Sequence, residues 1–459
     1  MQPRYKNALS SAVLVGGGIL LLLLPAFLNR FPLVFPDTGA YLSVAWSRSW
    51  TLDRAGFYGL AFRPLSSLPA VWQLWIGVAL QCAAIVAVLL MTMRAMVPQL
   101  SKCGQLAIIA GLAIATTLPW HSAQLMPDAL TGICVLLTWL AVSRDPVSPG
   151  TPSVWLATVV TGIMHFTHLF LVPIASLTAL ACQAAAGTGA RDVSRRAAAA
   201  AISTMLILAC QVSANGLLLH RWTLDPVGST FLFARLNEDG LVEPWMRNHC
   251  AEVPDLCSVY PQLPKDSQKL LWDTNSPFVS LIYDRLNTHT AEPFLAQVSL
   301  ASAGSIRERP LLFISAAAKS TAEQLARFAP LDDECPRVCT SPTSSVYDYF
   351  RTLRPSLMPW FRQSAQFRGT LPKGEIRAVT IFATLASVVF LVAFAIIAWR
   401  RKDVLVVSLI ATVSASLLAN AAAAGALSDV HDRYQSRIVW LVPFVAVLSF
   451  VRLFRRANA

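Results

Sequence analysis

The sequence carries little charge for its length. Only 14% of its 459 residues are Asp, Glu, Lys or Arg, whereas 55% are hydrophobic. A soluble domain usually has about 25% charged residues and at most about 50% apolar residues. The charge is missing because long apolar runs interrupt the chain, so we predict a multi-pass membrane protein. This composition excludes a cytosolic enzyme, a secreted domain and a nucleic-acid-binding protein.

Several other patterns are missing as well. No stretch alternates polar and apolar residues for long enough to form a membrane β-barrel, so the spans are expected to be helical. The first apolar run exceeds the signal-peptide core of roughly 7–15 residues and no A-x-A-like site follows it, so we expect an uncleaved first span. There is no internal repeat and no ionisable residue in the middle of a run. Transporters, by contrast, often have internal repeats and ionisable residues near the middle of the membrane.

Ten apolar runs are candidate transmembrane helices, since a helix needs roughly 20 residues to cross the hydrocarbon. The two runs between 153 and 186 are short and are expected to tilt, kink or re-enter. Alternate short loops are basic, which places both termini in the cytoplasm by the positive-inside rule and makes the net charge of +12 an orientation signal. Arg residues in the first outer loop are an exception. The runs are 9–29, 69–93, 104–120, 127–143, 153–168, 169–186, 197–219, 377–399, 404–425 and 436–452.

Two long segments outside the runs divide the chain into three predicted parts. Residues 1–219 form a seven-span core with a first outer loop at 30–68. Residues 220–376 hold 17 of the 25 acidic residues, a composition typical of a folded aqueous domain, and we interpret them as a periplasmic loop domain. Residues 377–459 contain three further spans. The predicted fold is therefore an all-α polytopic membrane protein of about ten helices with a large extracytoplasmic domain.

Four of the nine cysteines lie in this large loop: Cys250, Cys257, Cys335 and Cys339. An even number of cysteines in an oxidising compartment favours two disulfides. Three connectivities are possible, and the local pairs Cys250–Cys257 and Cys335–Cys339 are the simplest. A Cys-x3-Cys metal half-site at Cys335 and Cys339 is the alternative, although no His lies near in sequence.

The ionisable residues near the spans fall on the predicted outer face. Charges close to the bilayer are costly, so those present are candidates for function. Guanidinium groups hold phosphate in bidentate fashion, and a nearby carboxylate is suited to act as a general base towards a hydroxyl. This combination indicates chemistry on an amphiphile with a phosphate head group. The candidates are Asp37, Asp128, His165, His168, His431, Arg433, Tyr434 and Arg437.

Each candidate also has a purely structural interpretation. Asp37 precedes Thr38 and Gly39, so it is also suited to cap a helix that starts near Ala40. Asp128 follows a proline, which is typical of a helix start. His165 and His168 are also suited to lie at the membrane interface, where hydrogen bonds to the backbone would satisfy their ring nitrogens. The two arginines are compatible with snorkelling anchors, although the positive-inside rule disfavours arginine on the outer side.

The arrangement resembles the GT-C superfamily of membrane glycosyltransferases, which includes protein O-mannosyltransferases and the aminoarabinose transferase of lipid A. The similar elements are a first span, an outer loop with Asp37 near its start, an aromatic amphipathic stretch at 41–68, and an outer domain after the seventh span. By this resemblance Asp37 is the catalytic base and Asp128 the second acidic position. Arg433 and Tyr434 look like the Arg-Tyr element that contacts donor phosphate. Asp37 is not followed by a second acidic residue, so the use of a divalent cation by this site remains an open alternative.

The resemblance implies a cell-envelope enzyme of the bacterial inner membrane that transfers a sugar from a polyprenyl-phosphate-linked donor. The acceptor is an unknown glycan, lipid or protein on the periplasmic face, and membrane lipid is a further partner. His168 is a further candidate for contact with the leaving phosphate. Two alternatives remain: a transporter or flippase of a lipid-linked saccharide, and a non-catalytic envelope-assembly protein.

Overall fold

The computed structural model describes residues 3–47, 50, 52–144, 148–273, 275–284, 291–331, 335–341 and 344–455. Within these residues the secondary structure is helical, which confirms the all-α prediction. One isolated β-bridge joins Leu33 and Gln124. The first helices are α1 Pro3–Asn29, α2 Thr38–Ser47, α3 Phe57–Leu60, α4 Ala70–Met96, α5 Lys102–Ala115, α6 Leu118–Ser122, α7 Thr131–Ser143, α8 Thr151–Gly162, α9 His168–Ala185 and α10 Ala190–Leu219.

The second half of the chain starts with several short helices and ends with long ones. They are α11 Gly228–Glu238, α12 Val242–His249, α13 Pro254–Val259, α14 Ser267–Trp272, α15 Pro277–Val279, α16 Glu292–Glu308, α17 Pro310–Ala326, α18 Ser345–Asp348, α19 Met358–Gln363, α20 Ala365–Arg368, α21 Lys373–Arg400, α22 Val404–Leu427, α23 Asp432–Val439 and α24 Leu441–Arg455. Turns of 3₁₀ or π type lie at Arg63–Leu65, Pro127–Leu130, Cys250–Glu252, Tyr260–Gln262, Ser280–Asp284, Tyr349–Leu353 and Pro355–Leu357.

Seven helical segments of the described chain are long and apolar enough to cross a membrane, in agreement with the predicted membrane protein. The structure does not confirm a count of ten. Three of the predicted runs correspond to shorter helices, α5, α7 and α8. The seven segments are Ser10–Asn29, Ala70–Met96, His168–Ala185, Ala190–Leu219, Lys373–Arg400, Val404–Leu427 and Asp432–Arg455.

Local breaks explain why these three runs are shorter than their hydropathy indicates. Helix α5 ends at Ala115 because Thr116 is extended, and Pro119 then starts a separate turn of helix. The run at 127–143 begins as a 3₁₀ turn that Pro127 opens. Helix α8 ends at Gly162, before a turn that leads into α9. Because hydropathy records composition, it does not show where the backbone leaves the helix.

Basic side chains tie the helix ends together at one end of the bundle. Arg452 contacts Asp403 at 2.8 Å and donates to the Met96 carbonyl, so α24, α22 and α4 meet there. Lys102, at the start of α5, donates to Ser11 of α1 at 2.9 Å. The candidate site residues lie at the opposite ends of α1, α7, α9 and α22. The helices therefore separate this basic end from the predicted site.

Most of the buried residues belong to one large cluster and a separate, smaller one. The large cluster runs through the long helices and also includes seven side chains between Cys335 and Phe361, of which Phe350 and Phe361 pack on Phe31. The smaller cluster lies within residues 227–301 and contains stacked Phe233 and Phe278. The segment 220–376 is thus divided between two cores.

Both local cysteine pairs predicted from the sequence lie at disulfide distance. Cys250 and Cys257 have Cα atoms 5.4 Å apart, and Cys335 and Cys339 have Cα atoms 5.0 Å apart. The second bridge lies in the large cluster, with Cys335 beside the Val34 carbonyl. It therefore helps to hold the chain that leads into Asp37.

Candidate functional site

The chain between α1 and α2 is held by hydrogen bonds from distant segments. Leu33 donates to Ala123 and accepts from Leu125, both at 2.9 Å. The Gln366 side chain accepts from the Val34 amide and donates to the Val34 carbonyl. Because every one of these contacts comes from another part of the fold, the position of Asp37, three residues later, is set by the tertiary structure.

Asp37 stands at the start of α2, but its carboxylate is not engaged as a cap in the described structure. The neighbouring Thr38 hydroxyl accepts from Phe35 and donates to the Leu125 carbonyl. A Cβ at Gly39 would lie 2.0 Å from the Ser345 carbonyl oxygen, so only glycine permits this close approach of α2 to α18. The Asp-Thr-Gly sequence thus fixes the backbone and leaves the Asp37 carboxylate for other partners.

Two arginines hold the Asp37 carboxylate from either side. Arg433 Nη1 is 3.0 Å from Oδ2, and Arg54 Nη2 is 2.5 Å from Oδ1. Burial raises the pKa of Asp37, but the two guanidinium groups outweigh this effect and hold the pKa below its usual value. The carboxylate is therefore ionised at neutral pH.

Aromatic rings orient these two arginines. The Arg433 guanidinium carbon is 4.0 Å from the Phe35 ring centre and 5.0 Å from that of Tyr434. The Arg54 guanidinium lies 5.6 Å from the Trp272 ring centre and also pairs with Asp53. Cation–π contacts of this kind contribute about 0.5–2 kcal/mol and keep a guanidinium in one orientation.

Arg437 and Asp128 form a second, fully buried ion pair. Arg437 Nη1 is 2.8 Å from Asp128 Oδ1, and the two side chains are 1% and 0% exposed. Arg437 Nη2 also donates to Thr167 at 2.9 Å and to Asn420 at 3.0 Å. This arginine therefore links the starts of α7 and α9 to α22 and α23.

The predicted histidines differ in their surroundings. Both ring nitrogens of His168 have partners, the Thr161 carbonyl at 2.7 Å and the Thr131 hydroxyl at 3.1 Å, so this buried ring serves to connect helices. His165 Nε2 lies 3.4 Å from Arg437 and faces the cavity described next. His431 lies further out, with Nε2 3.3 Å from Asp429.

A cavity of about 360 Å³ opens beside the two arginine–carboxylate pairs. One wall comes from α9 and α22 and is apolar, with Phe170 and Leu427 partly exposed on the outer surface of the bundle. Further lining residues come from the segment between Asp225 and Trp272. Six charged side chains line the cavity: Asp37, Asp53, Arg54, Asp225, Arg433 and Arg437. The cavity thus joins a charged pocket to an apolar flank of the helices.

Several cavity residues are not among the site candidates from the sequence, and Arg54, Asp225 and Trp272 are the ones that matter most here. Arg54 carried a signal, because it is an arginine in an outer loop where the positive-inside rule disfavours one. Asp225 and Trp272 carried none, since both lie in a segment with many acidic and aromatic residues.

The described residues do not fit a divalent-cation site. No three His, Cys, Asp or Glu side chains among them come together as metal ligands, and arginines already occupy both Asp37 oxygens. Comparison with known proteins identifies no relative: no family model matches the chain, nor does any curated protein or solved structure.

Proposed function

We propose that the chain is a membrane glycosyltransferase that takes a sugar from a polyprenyl-phosphate-linked donor and passes it to an acceptor hydroxyl. The observation that carries this proposal is the Asp37 carboxylate held between Arg54 and Arg433, in the lining of a cavity with an apolar flank. A phosphate-bearing lipid needs both features, cations for its head group and an apolar path for its chain. The similarity of sequence pattern to the GT-C superfamily supports the same function.

The donor lipid enters from the side, over the start of α9 and the end of α22. The apolar wall there includes Phe170, Ala424 and Leu427, which suit a prenyl chain. Its phosphate then reaches Arg433 and Arg54, whose planar forks bind phosphate oxygens in pairs. Asp128, Thr167 and Asn420 hold the two terminal nitrogens of Arg437, while its Nε has no hydrogen-bond partner among the described residues. We therefore assign Arg437 a supporting role in this pocket through its charge.

The reaction is a single displacement at the anomeric carbon. The acceptor oxygen forms a bond to this carbon while the bond from the carbon to the phosphate oxygen breaks, and the configuration inverts. The polyprenyl phosphate leaves with the bonding electron pair, and Arg54 and Arg433 stabilise its added negative charge. Asp37 takes the proton of the acceptor hydroxyl.

The arginines also make Asp37 responsive to the donor. In the free protein they lower the pKa of Asp37, which makes this carboxylate a weak base. A phosphate that draws the same two cations away raises the pKa of Asp37 and increases its basicity. Donor binding therefore precedes activation of the acceptor, which limits side reactions in the empty site.

We place the site on the periplasmic side of a bacterial inner membrane, with both termini in the cytoplasm. The support is the position of basic residues such as Arg452 and Lys102 at the end of the bundle opposite Asp37. In this proposal the three shorter helices complete ten membrane segments, and the segment 220–376 covers the site as an extracytoplasmic domain.

The test is turnover of purified protein on a panel of prenyl-phosphate sugars. Asp37→Asn keeps the size of the side chain and removes the base, so turnover should fall by about 10²–10⁴-fold. Arg433→Lys keeps the charge but loses the bidentate fork, so the donor KM should rise. The control is Asp255→Asn, an exposed acid outside the cavity, and folded yield is measured for all three. Wild-type turnover by Asp37→Asn would show that Asp37 is not the base.

A further inference from the structure

Of the three carboxylates that line the cavity, two already have cationic partners. Asp37 lies between Arg54 and Arg433, and Asp53 pairs with Arg54. Within the described part of the chain Asp225 has no ion pair, and its Oδ1 accepts from the Val227 amide at 3.1 Å. A carboxylate has about four lone-pair sites, so Asp225 retains acceptor capacity for a ligand.

The position of Asp225 is closely defined by the turn before α11. Its side chain folds back over the start of this helix, and a Cβ at Gly228 would lie only 2.9 Å from Asp225 Oδ2. The amide contacts with Val227 and Gly228 stabilise its charged form. Burial and, to a smaller extent, the negative charge of Asp53 nevertheless raise the pKa of Asp225 to about 6. A buried charge of this kind gains from hydrogen-bond donors that a ligand brings.

Two aromatic side chains lie in the same wall. The Phe231 and Trp272 ring centres are 6.0 Å apart, and Trp272 is 42% exposed beside the cavity. The face of an aromatic ring carries negative charge density, which attracts the weakly positive C–H groups of a sugar ring. A carboxylate beside such a face suits a ligand that has an apolar side and several hydroxyl groups.

We infer that Asp225, Phe231 and Trp272 form the acceptor subsite, and that the acceptor is a saccharide. This inference rests on the proposed function. The sugar ring stacks on the exposed Trp272, with the tilted Phe231 ring beside it, and two of its hydroxyl groups donate to Asp225. The reacting hydroxyl then points across the cavity to Asp37 and the donor phosphate. Asp225 is thus a positioning residue, which determines acceptor affinity and not the proton-transfer step.

The experiment measures the binding of two kinds of ligand to the full chain in detergent. One is farnesyl phosphate, a probe of the phosphate position. The others are the methyl glycosides of glucose, mannose and N-acetylglucosamine, measured by saturation-transfer NMR with farnesyl phosphate present. Asp225→Asn keeps the acceptor oxygen for Val227, so the local turn is preserved while the charge is lost. Trp272→Leu removes the stacking face, and Asp255→Asn is the control.

The wild type should bind at least one glycoside, and Asp225→Asn and Trp272→Leu should each weaken that binding about tenfold or more. Farnesyl phosphate affinity should change less than about twofold in Asp225→Asn and in the control, and glycoside binding to the control should equal that of the wild type. Trp272→Leu is compared by glycoside binding alone, because Trp272 also contacts the Arg54 guanidinium. Because Asp225 is protonated below its pKa, wild-type glycoside affinity should fall between about pH 7 and about pH 5, and this fall should be absent in Asp225→Asn. The cavity groups that also bear on this titration are Asp37, Asp53, Arg54, His165, Arg433 and Arg437.

Two results would overturn the acceptor subsite: no glycoside binding by a wild type that binds farnesyl phosphate, or wild-type glycoside affinity in both variants. A wild type that does not bind farnesyl phosphate would instead contradict the proposed donor. Glycoside binding that depends on Asp225 would still support the subsite in that case.

Discussion

The buried pair of Asp128 and Arg437 provides the sharpest test of how this site is built. Capping of a helix by Asp128 predicts a mild effect of Asp128→Asn, because asparagine also caps helices well. The structure predicts a severe effect. The Asp128 and Arg437 side chains are 0% and 1% exposed, so the variant leaves the Arg437 guanidinium buried without a countercharge. Loss of one partner of a buried ion pair costs about 3–5 kcal/mol.

The size of the effect follows from the contacts that remain. The introduced asparagine still offers an oxygen to Arg437 Nη1, and Thr167 and Asn420 still accept from Nη2, so the hydrogen bonds persist. What is lost is the charge. Asp128→Asn should therefore reduce the free energy of unfolding by about 3–5 kcal/mol without rearrangement of α7 and α23.

The assay is an SDS titration of purified protein in mixed micelles, read by circular dichroism. Asp128→Leu combined with Arg437→Met removes both charges and should be more stable than Asp128→Asn alone, because no unpaired ion remains. The control is Glu243→Gln, which breaks the exposed pair with Arg247 and should leave the free energy of unfolding nearly unchanged. If Asp128→Asn costs no more than this control, the buried pair does not stabilise the site.

Three further predictions concern the rest of the molecule. Reduction of the two disulfides should lower the free energy of unfolding by about 2–3 kcal/mol each, measured in the same titration, and an unchanged midpoint would contradict this. Reporter fusions at Thr151 and Asp403 should report cytoplasm and a fusion at Gln262 periplasm; a cytoplasmic signal at Gln262 would invert the proposed site. Because the pKa of Asp37 lies below its ordinary value of 3.8, its contribution to stability is present above about pH 4 and is lost as the pH falls through the lower folded value. Unfolding of Asp37→Asn should accordingly be less sensitive than that of the wild type to pH below about 4.

Much of the site was visible in the sequence as a set of residues but not as an arrangement. Asp37 and Arg433 were both candidates, yet 396 positions separate them and their contact at 3.0 Å was not foreseen. Arg437 is a candidate for phosphate in the sequence, and in the structure its two terminal nitrogens contact Asp128 and two neutral side chains. Hydropathy indicates which charged residues are energetically unfavourable near a membrane when they are unpaired. It does not show which residue of the fold pairs with each of them.

The properties readable from the sequence are those that depend on neighbours along the chain. Apolar composition over about 20 residues predicts a membrane helix. Cysteines four and seven positions apart are close in a compact conformation, and both predicted pairs lie at disulfide distance. The second cation on Asp37, the acceptor capacity that Asp225 retains and the cavity between them depend on how distant segments pack. Arg54 reaches Asp37 from its own loop, Arg433 comes from the far end of the chain, and Asp225 follows the tenth helix. Their meeting results from the packing of whole helices, which no local pattern encodes.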